Sequence, residues 1–266
     1  MTSVPVLVDN RLTAARYAIP IAGEWVETDG LDLRRIATPA EIRERNAVAL
    51  VDSLIASLLL ETHAIVTDHA VASRRASMLT MVSHTRPDDV DNVVVSTPDV
   101  SVSGRAVAEA TLPRFYGITT TGWVTERRKV DASTVLITEG AEALIPVDDP
   151  DAYQEDLGRA WFLMTDTPYV SHVCVAPRAL LTRNPASVVE AVGRLEAVRA
   201  AGEERARELR RNISRDHDID REVVADTLAD QTYRLNDPER SGLLALWRAT
   251  GVSIPGDTRN LFVTLG

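Results

Sequence analysis

Residues 47–55 read AVALVDSLI. The first five are apolar, valine appears twice among them, and the run is too short for an ordinary helix. It reads as a strand buried on both faces, the character of strands in parallel sheets. Asp52 or Ser53 then suits the start of a following helix, because a short side-chain oxygen can take a free N–H of the first turn. A strand that passes directly into a helix is the repeating unit of an α/β chain.

Working outward, VPVLV (4–8) and LDLRRI (31–36) read as strands, and TPAEIRER (38–45) as a helix start. Thr38 caps that helix, Pro39 fits its first turn, and Glu41 closes a Thr-x-x-Glu box. HAIVT (63–67), ASMLTMVS (76–83), VDNVVVS (90–96) and STVLIT (133–138) resemble further strands. A helix is expected from about Ser103 to Arg114, with Gly117 as its stop signal. TDTPYVSHVCVAPR (165–178) is an apolar run holding Tyr169, His172 and the lone cysteine, Cys174. Alternation puts Tyr169, Ser171 and Val173 on one side and Val170, His172 and Cys174 on the other. Beyond Pro177 the pattern is helical, with Val188, Val192, Leu195, Val198 and Ala201 forming one stripe of a long helix over 184–212. Two shorter helices are expected at 221–231 and 238–251. The expected class is α/β, with mainly parallel sheets and a helical C-terminal third.

With 266 residues, 45% of them hydrophobic, the chain can build one large domain or two lobes. Lys+Arg number 29 against 39 Asp+Glu, and the net charge of -10 repels phosphate backbones and anionic membrane surfaces. Neither nucleic acid nor membrane is an expected partner. A single cysteine excludes an internal disulfide and a four-thiolate metal site. VPVLV is shorter than the ~7–15 apolar residues of a signal-peptide core, and no run approaches the ~20 needed to span a bilayer. The expected location is therefore cytoplasmic. RDHDID (215–220) reads as a solvated helix cap rather than a metal site, so no metal and no organic cofactor is expected.

Ligands of open α/β sheets gather beyond the carboxyl ends of strands, a rule that selects Asp52-Ser53, Ser96-Thr97 and Glu139. Ser96, Thr97, Ser101 and Ser103 precede a helix, where they either grip a carboxylate or serve only as caps and turn residues. Ser53 poses the same pair of alternatives. Arg74, beside Arg75, offers a guanidinium fork suited to a carboxylate unless it is simply solvated. Glu139 could act as a base or hold a ligand hydroxyl, with a raised pKa in a cleft, or neighbour a helix cap. His172 faces either a ligand or the core. Cys174 is either a thiol activated by His172 or a packing residue.

The order of these pieces resembles the chorismate dehydratase family of the menaquinone pathway. AVALVDSLI, STPDVSVSGRAVAEATLPRFYGI (96–118), STVLITEGAEAL (133–144) and EDLGRAWFLMTDTPYVSHVCVAPR (155–178) carry the resemblance, which covers nearly the whole chain. It implies a two-lobed fold of the type II periplasmic-binding-protein kind, with residues 1–84 and 177–266 in one lobe, 85–176 in the other, and a ligand cleft between them. It implies a carbon–oxygen lyase acting on a small cyclic or aromatic carboxylate, monomeric or homodimeric, in which Ser77 or Met78 takes the family's catalytic serine position. Glu139 stands where the family has an aspartate, and Tyr169 aligns with a family phenylalanine. Tyr17, three residues before Pro20, stands where the family has asparagine and either occludes or re-shapes the pocket or is only a surface or core aromatic. Because the asparagine and a glycine-proline turn are absent, a second expectation is a cytoplasmic small-anion binding or sensing protein of the same fold. A transport component would instead need an export signal.

Overall fold

A computed structural model describes residues 3–254 and 256–265. The run that begins at Val48 is a fully buried strand ending on Asp52, and a helix starts at Ser53 with Asp52 as its cap. It belongs to a six-stranded sheet made of β1 (Val6–Asp9), β2 (Leu31–Arg34), β3 (Val48–Asp52), β4 (His63–Ser73), β10 (Tyr169–Pro177) and β11 (Phe262–Val263). A five-stranded sheet holds β5 (Leu79–Ser83), β6 (Val93–Ser96), β7 (Thr120–Val124), β8 (Thr134–Glu139) and β9 (Tyr153–Asp156). The spatial orders are β11-β4-β10-β3-β1-β2 and β7-β6-β8-β5-β9.

The helices are α1 (Ala15–Ala22), α2 (Pro39–Glu44), α3 (Ser53–Ser57), α4 (Val102–Arg114), α5 (Leu157–Thr165), α6 (Arg178–Arg183), α7 (Pro185–Glu204), α8 (Ala206–His217), α9 (Arg221–Asp230) and α10 (Asp237–Ala249). The Thr38 cap forms as expected, its hydroxyl accepting from Glu41 N at 3.2 Å. The helix expected over 184–212 is two helices, broken at Arg205, whose guanidinium lies 4.1 Å over the Trp25 ring.

Both faces of the larger sheet are covered. Val6, Val8, Val48 and Leu50 join the core formed with Val188, Val192, Leu195 and Val198 of α7. Leu7, Ala49 and Val51 turn the other way, into a core that continues through Leu79, Met81, Val95 and Ile137 of the smaller sheet. That double burial is why the strands read as unbroken apolar runs and not as alternating ones. The core common to both sheets joins the two lobes.

Parallel pairing holds at β1–β2, β1–β3, β4–β11, β6–β7 and β6–β8, and antiparallel pairing is confined to β5 and β10 with their neighbours. Each of these two is the first strand laid down after the chain crosses between lobes. The crossings lie at 74–78 and 166–168, not at 84/85 and 176/177 as expected, because β5 bonds to β8 and β9 while β10 bonds to β3 and β4. TDTPYVSHVCVAPR is thus a strand of the first lobe. Its alternation holds from Val173 on, with Val173 and Val175 in the shared core and Cys174 and Ala176 in the other, and is broken at Val170, which joins Tyr169 in the shared core where the pairing with β4 shifts register.

No helix among the described residues is long and apolar enough to cross a membrane.

Candidate functional site between the lobes

The carboxyl ends of β1, β3 and β8 converge on the N-terminus of α4 along the seam between lobes. Ser101 caps α4, its hydroxyl accepting from Gly104 N at 2.9 Å and donating to Glu139 Oε1 at 2.9 Å. The Ser101 backbone N–H donates to Glu139 Oε2. Two residues further on, Ser103 donates from its backbone N to Asp52 Oδ2 at 3.1 Å and from its hydroxyl to the same oxygen. Tyr169 completes the cluster with its hydroxyl 3.1 Å from Ser103 Oγ. The positive end of α4 is thus occupied by two of the protein's own carboxylates, in the positions a ligand carboxylate was expected to take.

Behind them stands His172, its Nε2 3.5 Å from Asp9 Oδ2 and its Nδ1 3.0 Å from Ser171 Oγ. Burial disfavours the imidazolium, but Asp9, Asp52 and Glu139 outweigh it and lift the His172 pKa above its ordinary value. For Glu139, burial is the leading effect and raises the pKa, against the lowering pull of the Ser101 donors and Arg11.

Beside this cluster lies a cavity of about 320 Å³, bounded by Asn10–Thr13, Arg35, Pro98, Asp99, Glu139–Glu142 and His217. Its size is that of a small-molecule site. Arg11 reaches from the end of β1 across the seam, donating to Asp99 O at 2.9 Å and lying 3.6 Å from Glu139 Oε2. Arg35, just past β2, pairs with the Asp99 carboxylate. Gly140, at φ 72°, turns the chain sharply where β8 ends, a backbone conformation that side-chain-bearing residues rarely adopt. Thr13 is 1% exposed, and its hydroxyl has no hydrogen-bond partner. A buried unpaired hydroxyl costs stability, and although Thr13 borders the cavity its hydroxyl is itself closed off from solvent.

Of the residues expected to form a site, Ser101, Ser103, Glu139, Tyr169 and His172 come together at the seam. Six do not. Tyr17 is fully buried in α1, its hydroxyl 3.2 Å from His69 Nδ1 and its ring against Tyr233, on the far side of the larger sheet. Ser53 donates to Val170 O at 2.6 Å and its carbonyl accepts from Trp247 Nε1, a packing role. Ser96 donates to Glu126 O and Thr97 to Val124 O, so both hydroxyls brace the loop after β7. Arg74 sits on the first crossing, its backbone N donating to Asp230 and its guanidinium 3.8 Å from Glu239.

Ser77 is walled in. Its hydroxyl donates to Asp156 Oδ1 at 3.0 Å and accepts from Gly158 N at 3.1 Å, and a Cβ built on Gly158 would lie 2.3 Å from the Ser77 Cβ. No space is left beside it for a substrate. Met78, the alternative for the same position, is buried against Leu209, Ile213 and Val224. Cys174 is buried among Val6, Leu50 and Val66, and burial pushes its thiol pKa up, the opposite of an activated nucleophile.

The polar and charged cavity residues absent from the expected set are Asn10, Arg11, Thr13, Arg35, Asp99, Glu142 and His217. Asn10–Thr13 follow VPVLV and Arg35 follows LDLR, so the strand-end rule that selected Glu139 would also have selected them. His217 carries no such signal, because the end of α8 approaches the cavity only through the tertiary fold.

No protein-family model matches the chain, and no curated protein matches it in sequence. Solved structures do. Protein AF1704 from Archaeoglobus fulgidus superposes with a TM-score of 0.64 at 14% identity, over 93% of this chain and 96% of that one. A Candida albicans gene product described as having the generic periplasmic-binding-protein fold gives 0.59 at 12% identity, over 99% and 96%. The alkanesulfonate-binding protein SsuA from Xanthomonas axonopodis pv. citri, bound to MOPS, gives 0.59 at 11% identity, over 98% of each chain. At these identities the likeness is one of fold, and it extends over nearly the full length: the chain has a periplasmic-binding-protein-like fold.

Proposed function

We propose that the protein binds a small organic acid, a carboxylate or sulfonate, in the cavity between its lobes. The observation that carries this reading is a cavity of about 320 Å³ that presents Arg11 and Arg35 on one wall. Guanidinium forks form a donor set suited to a planar or tetrahedral oxyanion. The fold, similar to that of a sulfonate-binding protein, supports the same reading. Calorimetric titration with a panel of cyclic and aromatic carboxylates and sulfonates tests it. Saturable binding that is lost in Arg11→Met is expected, and absence of binding across the panel overturns the proposal.

A second reading, a chorismate-dehydratase-like lyase, rests on Glu139. A carboxylate with a raised pKa in the cavity wall is placed to accept a proton from a ring carbon and to return it to the departing hydroxyl, so that water leaves. Ser77 supplies nothing to this chemistry from its sealed position. Incubation with chorismate, followed by ultraviolet and mass detection of a dehydrated benzoate, decides it: turnover abolished in Glu139→Gln supports the lyase, and binding without turnover leaves only the first reading.

A further inference from the structure

The charges around the cavity are already matched before any ligand arrives. On the first-lobe wall, Arg11 and Arg35 contribute two positive charges. On the second-lobe wall, Asp99 and Glu139 contribute two negative charges, and both arginines rest against them. Glu142, at the rim, is paired outside the cavity with Arg127. The Glu139 side chain is 2% exposed and that of Arg11 15%, so water does little to screen a charge added beside that pair, whereas Arg35 and Asp99 lie at the exposed rim. A ligand with one acid group and nothing else would leave the Arg11–Glu139 end of the cavity with an uncompensated negative charge. A ligand with two acid groups would leave it with two.

Building on the organic-acid reading above, we infer that the cavity selects a zwitterion: an acid whose oxyanion lies on Arg11 and Arg35 and whose ammonium group lies against Glu139 and Asp99. Such a molecule adds no net charge. It gives the arginines a new acceptor and the displaced carboxylates a new donor, so that neither is left buried and unpaired. A hydroxyl in place of the ammonium supplies the donor without the charge and ranks between the zwitterion and the plain acid.

The test uses three matched probes, cyclohexanecarboxylate, 3-hydroxycyclohexanecarboxylate and 3-aminocyclohexanecarboxylate, titrated calorimetrically into the full chain in two buffers of different ionisation enthalpy. The amino acid is expected to bind at least tenfold more tightly than the plain acid, with no net proton uptake. Glu139→Gln should narrow that ratio toward one, chiefly by improving the plain acid. Asp99→Asn, at the exposed rim, should shift the ratio the same way and serves as a second variant if the buried substitution impairs folding. Equal affinity for plain and amino acids, or a plain acid that binds tightly by taking up a proton, overturns the zwitterion inference and leaves the organic-acid reading intact. No binding of any probe or of the broader acid panel defeats the organic-acid reading itself.

Discussion

Two serines in this molecule each donate twice to a carboxylate beside a helix start, the serine capping the helix in one pair and the carboxylate in the other. At the mouth of the seam, Ser101 donates from its N–H and its hydroxyl to Glu139 at the start of α4. At the crossing between lobes, Ser77 donates from its N–H at 2.8 Å and its hydroxyl at 3.0 Å to Asp156, which caps α5 through Arg159 N at 2.7 Å. In both pairs burial is the leading influence on the carboxyl pKa and raises it. The first pair borders a cavity, whereas the second is sealed by Gly158. The same local pattern borders a cavity in one place and is closed off by a neighbouring helix in the other.

The largest effect that bears on this comparison is a background to be removed. Burial holds His63 and His69, both on β4, at a pKa of about 4 against an ordinary 6.5. Their contribution is intact above pH 6.5 and is lost as pH falls through about 4. From the shift this amounts to about 3 kcal/mol for each histidine. Glu139 and Asp156 act with the opposite sign: their folded pKa values are raised, so their contribution is full at low pH and is lost as pH rises through those folded values. Urea midpoints measured against pH should fall on the acid side in the wild type, and His63→Gln/His69→Gln should remove most of that fall. Both carboxylates still share one sign, so a bound zwitterion is needed to tell them apart: it should alter the pH dependence of Glu139→Gln relative to wild type and leave that of Asp156→Asn parallel to wild type.

Next in size is the seal itself. Gly158→Ala forces a Cβ to within 2.3 Å of the Ser77 Cβ, and an overpacked site of this kind costs about 2–3 kcal/mol. Denaturant unfolding should show that loss, while the protein that remains folded keeps its affinity for the acid probe. An equal loss of affinity would mean that the crossing and the cavity are one functional unit.

The serines provide a smaller and more direct contrast. Ser77→Ala leaves both Asp156 and Gly158 N short of a partner, and Ser101→Ala does the same to Glu139 and Gly104 N. Each change should cost about 1–2 kcal/mol of stability. Only Ser101→Ala should also change ligand affinity, because only its carboxylate borders the cavity.

The comparison also explains how far the sequence could be read. AVALV identified itself as a buried strand, and Glu139 and Ser101 stood at the ends of elements whose type was plain from their pattern, so the core of the seam was legible. β7 (TTGWV) and β9 (YQED) are half-buried or exposed, and too polar to signal as strands. The lobe boundaries were displaced because a run such as LTMVS states that it is a strand and not which sheet it joins. Ser77 was misplaced for a related reason: the glycine that seals it lies 81 residues away in the chain. Whether a polar side chain meets a cavity or a wall is a property of two distant segments, and neither carries it alone.

The smallest expected effect is the most discriminating. Thr13 is buried with no partner for its hydroxyl, whereas the Ser77 hydroxyl is fully used. Replacing Thr13 by valine keeps the shape and removes an unsatisfied polar atom, so the free protein should gain about 1 kcal/mol. If a bound acid draws this hydroxyl into contact, the same change removes a donor, and the acid probe should bind roughly tenfold more weakly, as expected for a lost hydrogen bond to a charged group. Stability and affinity would then move in opposite directions at one atom, which is the signature of a group held ready for a ligand. Thr13→Val that lowers stability instead would show that the hydroxyl already has a partner within the protein and would place Thr13 with Ser77.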